Sequence, residues 1–283
     1  MEYVLHKGLK IPMLGFGTWC IGDNEENRKK EIETIRYAVE EYGITLIDTA
    51  EMYGLGKSEN VVAEAIRSID RDKLYIVDKI LPENAMAGKY EERVRNSLNI
   101  LGIDYFDLYL LHWRSGVDLQ SMVDEMERLK ALKLIRNWGV SNFDVKDMKE
   151  LLQCRNGNQC FANQVLYNID ERGIEFDLIS YCKQNNILLM AYSVVGNSRE
   201  YQDKILASPA LQKVAAGRGV HPFNILIKFV TRNKDLIALV KTSSKEHLDQ
   251  NMKDFETDLT EAELEALEQD FPKPVEKIEL HKI

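Results

Sequence analysis

The sequence predicts an α/β fold: a closed barrel of eight parallel strands, with a short N-terminal hairpin and an extra helix and tail at the C-terminal end. Three observations carry this. Strand-like runs alternate with amphipathic helical stretches throughout. Eight such pairs fill the 283 residues. Four reactive side chains, Asp48, Tyr53, Lys79 and His112, fall at or just past the ends of consecutive strands. A doubly wound open sheet has the same periodicity, so alternation alone leaves both architectures open.

Strands are predicted at 13–19, 45–48, 74–79, 106–112, 135–141, 162–165, 187–192 and 236–241, each a short run rich in β-branched, aliphatic or aromatic residues. Helices are predicted between them at 27–42, 58–68, 90–101, 119–131, 145–153, 176–185, 209–217 and 245–252. Ser58, followed by Glu59, reads as an N-cap with an acid in the first turn, and Asp144 before Val145 reads the same way. Gly43 is a C-terminal stop. Pro222 suits the first turn of an extra helix over 223–233. Two additions flank the eight units. Lys7-Gly8 makes a tight turn within 3–11, so a hairpin is expected to plug one end of the barrel. An amphipathic helix at 260–270 precedes a tail, 271–283, containing two prolines. No linker or low-complexity stretch interrupts the series, so one domain over 1–283 is expected.

The formal net charge is -9, which argues against a broad nucleic-acid surface and for a small-molecule partner. Cys20, Cys154, Cys160 and Cys182 form no CxxC pair and read as reduced thiols. No signal-peptide pattern opens the chain, and no apolar run approaches the ~20 residues of a spanning helix. A soluble cytoplasmic protein without membrane contact is expected.

In a parallel barrel the C-terminal ends of all strands share one rim. There, an acid, a phenol, an ammonium and an imidazole would converge. Hydride addition to a carbonyl carbon leaves an alkoxide-like oxygen that needs a proton. Tyrosine, with an ordinary pKa near 10, is a weak acid at neutral pH. The Lys79 ammonium is expected to favour the phenolate and make Tyr53 more acidic. Asp48 would hold Lys79 charged, and His112 would orient the substrate oxygen by a hydrogen bond. Each residue alone has an ordinary explanation, as a turn former, a bonded core tyrosine, a surface amine or a core histidine. The signal is the set.

The segments around these residues resemble the aldo-keto reductase family. They are Leu14-Gly15-Phe16-Gly17-Thr18-Trp19, Ile47-Asp48-Thr49-Ala50-Glu51-Met52-Tyr53-Gly54 with Ser58-Glu59, the run from Asp104 to Trp113, the run from Ile135 to Phe143, and Asn163-Gln164-Val165-Leu166-Tyr167-Asn168. The similarity runs from about Leu14 to Asn251. It implies a (β/α)8 TIM barrel and an enzyme that reduces aldehydes, ketones or sugar-like carbonyls with NADP(H), or with NAD(H). It also implies that Asp48, Tyr53, Lys79 and His112 form the catalytic tetrad. By position, Ser141, Asn142 and Gln164 would bind the nicotinamide carboxamide of the cofactor, Tyr192 would stack on its ring, and Thr18, Trp19, Asp48 and Ser193 would also contact the cofactor. Lys241, Thr242, Ser243, His247, Gln250 and Asn251 would bind its far end. Trp19, Met52, Tyr53, His112 and Trp113 would line the substrate pocket, with the segments 193–204 and 271–283 shaping it. The short loop after the seventh strand suggests an open, permissive pocket.

The departure lies after the last strand, where the family often carries an arginine six positions after its lysine and then a Glu-Asn pair. Here His247 stands for the arginine and Gln250 for the glutamate. Arginine is a permanent bidentate partner for a phosphate, and a neutral histidine is not. Lys241, Ser243 and Lys245 near a helix N-terminus remain as an anion site, so NADP(H) is still expected over NAD(H). Other signals are weak. Gly15-Phe16-Gly17-Thr18-Trp19-Cys20 lacks the third glycine of a dinucleotide fingerprint. Tyr53 and Lys57 have YxxxK spacing, but Gly54 and Gly56 make a helix there unfavourable, and Lys57 reads as a loop residue. His6, His221 and His281 read as surface residues, and no cluster has metal-ligand spacing. Two other readings of the sequence remain: a nucleotide-binding regulatory subunit with little turnover, and a barrel hydrolase or isomerase indifferent to nicotinamide nucleotides.

Overall fold

The computed structural model describes residues 1–253 and 255–282. Strands β1 (Tyr3–His6) and β2 (Leu9–Pro12) form an antiparallel hairpin. Then follow β3 (Leu14–Gly17), β4 (Leu46–Asp48), β5 (Tyr75–Ile80), β6 (Phe106–Leu111), β7 (Ile135–Ser141), β8 (Ala162–Leu166), β9 (Leu188–Tyr192) and β10 (Leu236–Val240). These eight pair in parallel in chain order, and β10 pairs with β3, which closes the barrel and excludes the open sheet. Strand limits differ from the sequence expectation by a residue or two, within the usual uncertainty of element ends.

The strand period of two sorts the core into two populations. Leu46, Val77, Leu108, Leu110, Ala162, Leu188, Met190, Ile237 and Leu239 fill the barrel interior. Their chain neighbours Ile47, Ile76, Tyr109, Leu189 and Ala238 belong to the larger core beneath the surrounding helices. Both faces of the barrel strands are largely buried, which is why these strands read as continuous apolar runs. The hairpin turns through Lys7 and Gly8, both with left-handed φ (46° and 81°), as a two-residue hairpin turn requires. Its Val4 and Ile11 join the interior cluster beside Phe161 and Leu188, so the hairpin plugs the N-terminal end of the barrel as expected.

The Asp144 cap is present and completes a capping box with Asp147. Gly43 ends its helix at φ 65°, and Pro222 opens the helix Pro222–Thr231. Several expectations need correction. Ser58 is not an N-cap. The helix starts one residue earlier, at Lys57, behind left-handed Gly56, and the buried Ser58 hydroxyl donates to Thr18 instead. Lys57 is thus a helical residue. Part of the segment 193–204 is helix, Arg199–Leu206, started by the Ser198 side chain. A short helix, Pro82–Met86, was not expected. His6 is half-buried edge-on against Phe161 rather than a plain surface residue. Among the described residues no helix is long and apolar enough to cross a membrane. Ile283, the last residue of the tail, lies outside the described residues.

Candidate active site

Strand parity explains how the site is assembled. Asp48 is in phase with interior Leu46, Lys79 with Val77, His112 with Leu108 and Leu110, Gln164 with Ala162, Tyr192 with Met190, and Lys241 with Leu239. Each of these polar residues therefore follows the last interior apolar residue of its strand and stands at the C-terminal rim. Tyr53 arrives from the loop after β4.

Lys79 is the hub and is fully buried. Its Nζ donates to Asp48 Oδ1 at 2.6 Å, to the Thr49 carbonyl at 2.8 Å and to Tyr53 Oη at 3.1 Å. The second Asp48 oxygen accepts from Gln164 Nε2 at 2.7 Å, so both carboxylate oxygens are engaged. The Tyr53 ring meets His112 edge-on at 5.8 Å between centroids and Trp19 at 5.9 Å. A second network adjoins the first. Ser141 Oγ donates to the Gln164 carbonyl, Asn142 Nδ2 donates to the His112 carbonyl, and the Tyr192 hydroxyl donates to Asn142 Oδ1 at 2.7 Å.

Burial dominates the electrostatics. It pulls the Lys79 amine toward neutrality, but Asp48 and the phenol outweigh it, and the amine ends above its ordinary value, firmly cationic. Burial raises Asp48 against the pull of Lys79. The expectation for Tyr53 is corrected in sign. Burial raises the phenol, Lys79 opposes this, and Asp48 adds to the rise, so its pKa lies above 10 in the free protein. The Asp48 carboxylate offsets part of the ammonium's pull on the phenol. Burial and the nearby Lys79 cation depress His112 to about 3, so its imidazole is neutral. Its buried Nδ1 has no hydrogen-bond partner among the described residues.

These groups open into a cavity of about 340 Å³. Thr18, Trp19, Asp48, Tyr53, His112, Ser141, Asn142, Gln164, Tyr192, Ser193 and Lys241 line it, as expected from the sequence. Met52 and Trp113 do not line it, although Trp113 packs against His112 at 4.9 Å between centroids. Nor do Thr242, Ser243, His247, Gln250 and Asn251. They lie along the turn after β10 and along the helix Lys245–Met252, whose N-cap, Ser244, accepts from the His247 amide. Lys245 is engaged by Glu33 at 3.5 Å, which reduces its availability as an anion partner. The sequence reading missed Arg199 and Gln202, which face the cavity from the helix Arg199–Leu206, and Cys20 at its edge. The signal for the first two was Ser198, three residues before Tyr201 and able to cap a helix that aims Arg199 inward.

This chain can hold a polar ligand at the rim, between the neutral polar groups of Ser141, Asn142 and Gln164 and the cations Arg199 and Lys241, which all line the same cavity. Comparison with known proteins agrees with that geometry. The family described as "Aldo/keto reductase family" matches residues 13–269. Methylglyoxal reductase YeaE of Escherichia coli K12 is 38% identical over 275 residues, covering 97% of this chain and 96% of the relative. The NADH-specific methylglyoxal reductase of the same organism is 30% identical over 212 residues, 65% of this chain and 64% of the relative. An aldo/keto reductase from Klebsiella pneumoniae, solved with NADP and acetate, superposes with TM-score 0.95 at 36% identity, covering 100% of this chain and 99% of that one. Barrel, rim constellation and sequence similarity along nearly the whole chain lead to one assignment: the protein belongs to the aldo/keto reductase family of oxidoreductases.

Proposed function

We propose that the protein reduces small aldehydes and ketones with NADPH, acting as one catalytic domain with Tyr53 as the proton donor. The observation that carries this is the Tyr53 hydroxyl, 3.1 Å from a buried, cationic Lys79 at the mouth of the cavity. The bound nicotinamide supplies the hydride. The chain's own residues do the rest. Tyr192 offers an aromatic face beside Asn142, and Ser141, Asn142 and Gln164 hold polar groups that suit a carboxamide. Gln164 is anchored by Asp48, which ties cofactor binding to the proton-transfer pair. Arg199 and Lys241 make no ion pair among the described residues and suit the anionic half of a dinucleotide.

As the carbonyl oxygen gains charge, Tyr53 gives it a proton and becomes a phenolate. Lys79 stabilises that phenolate at hydrogen-bond distance. A raised pKa keeps Tyr53 protonated beforehand, which suits the reductive direction. Neutral His112 can donate one N–H to the substrate oxygen and orients it without adding a charge.

The named relatives support a short 2-oxoaldehyde such as methylglyoxal as one substrate, and sugar-like aldehydes belong in the same test. A preference for NADPH rests on Lys241 and Arg199 offsetting the histidine at 247. Steady-state rates with NADPH and NADH over a panel containing methylglyoxal and simple sugars decide the matter. NADPH consumption, lost in Tyr53→Phe with cofactor affinity retained, is the expected result. Equal kcat/KM with both nucleotides would refute the cofactor preference. Binding of NADPH without turnover on any carbonyl would favour a regulatory subunit.

A further inference from the structure

Tyr53 sits on a short loop, where its own amide donates to the Ala50 carbonyl. The three residues after it, Gly54, Leu55 and Gly56, all have left-handed φ, at 57°, 55° and 90°. Leu55, a non-glycine in that region, is 92% exposed. Only Leu55 is strained by that conformation, and the run separates the phenol from the nearest anchor on that side, buried Ser58 on Thr18. On the other side, Thr49 is held by the Val77 carbonyl and by Lys79. Between Thr49 and Tyr53 one side chain leaves the loop and enters the neighbouring unit. It is Glu51, 5% exposed although anionic.

Glu51 Oε1 accepts from the Leu81 amide at 2.7 Å and from Asn84 Nδ2 at 2.8 Å, and Oε2 accepts from Arg93 Nε at 2.5 Å. Leu81 directly follows β5, the strand that carries Lys79. Asn84 and Arg93 belong to the helices Pro82–Met86 and Tyr90–Leu101. The carboxylate thus ties the loop bearing the phenol to the segment leaving the strand that bears the ammonium. Three donors on a buried carboxylate fix its position far better than a single contact would, because leaving any of them unmade costs a desolvated group.

We propose that Glu51 is a positioning residue whose three hydrogen bonds set the distance between Tyr53 and Lys79 and thereby the rate of proton donation. The inference rests on Tyr53 as the acid. Glu51 touches neither substrate nor cofactor cavity, so its effect must fall on kcat.

The test compares Glu51→Ala, Glu51→Gln and the double variant Asn84→Ala/Arg93→Met with the parent, using NADPH and methylglyoxal, and includes Tyr53→Phe as reference. A displaced phenol costs on the order of 10–100-fold in kcat, since a misplacement of about 1 Å reaches that range. Glu51→Ala is expected to show that loss with the carbonyl KM and the NADPH dissociation constant little changed. Glu51→Gln, which keeps an acceptor for the Leu81 amide, should recover part of it. In alcohol oxidation the limb that reports the Tyr53 base should move to higher pH, because Lys79 no longer pulls it down. The double variant removes two donors and leaves the loop sequence intact. It is expected to lower kcat in the same direction, and it decides the matter alone if Glu51→Ala fails to fold. Parental kcat in the double variant, or a loss in Glu51→Ala carried by KM or cofactor affinity, overturns the proposal. If Tyr53→Phe itself keeps turnover, the acid assignment fails instead, independently of Glu51.

Discussion

The rim positions of Asp48, Lys79 and His112 were legible from residue type and strand-end position, because parity places every second residue of a barrel strand inside, and Tyr53 was legible from the loop that follows the second barrel strand. What the sequence hid was the sign of the Tyr53 shift. An adjacent ammonium lowers a phenol's pKa in isolation, but burial and the Asp48 carboxylate act against it, and burial is a tertiary quantity. His112 carries a prediction at this scale. Its pKa of about 3 means that between pH 6.5 and 3 the unfolded chain binds a proton that the folded chain refuses. Stability should therefore fall as pH falls through that window, and replacing His112 with Gln should remove this part of the fall. Nuclear magnetic resonance of the imidazole should show it neutral at pH 5; a charged ring there would contradict the proposed neutral donor.

Between elements, parity also sends Asp78, the neighbour of Lys79, out of the barrel toward the helices. It is fully buried, and neither carboxylate oxygen has a hydrogen-bond partner among the described residues. Burial, then nearby Glu59, pushes its pKa well above 3.8, while Lys79 acts in the other direction. The folded chain thus holds a proton that the unfolded chain releases above the ordinary carboxylate range, so this group's contribution is complete at low pH and declines as pH rises. Asp78→Asn should raise the urea midpoint at pH 8 more than at pH 5 without changing KM; an equal rise at both values would contradict a protonated Asp78. Long, patterned helices such as Tyr90–Leu101 and Leu119–Ala131 were legible to the residue. The helix Arg199–Leu206 was not, because it is only eight residues long, and Tyr201, Ile205 and Leu206, the residues it turns to the core, make too short a repeat to read. Ser58 misled for a related reason: a serine before an acid resembles a cap, and only the left-handed Gly56 ahead of it shows that the helix has already been started.

At the scale of the whole molecule, closure of the barrel could not be read from periodicity, since an open sheet alternates in the same way. The pairing of β10 with β3 decides it. The hairpin is part of the same stability unit, as fully buried Ile11 packs among interior residues from several strands. Ile11→Ala should cost about 2–5 kcal/mol, read as a lower urea midpoint with kcat and KM retained. A loss of activity without a loss of stability would mean that the plug communicates with the rim. The outer face of that hairpin carries Leu5, 79% exposed, at the opposite mouth from every reacting group. Attached to a solid support through this lower face, the molecule would stand with its entrance turned to the bulk liquid, and a tether placed there would leave the traffic of reactants unobstructed.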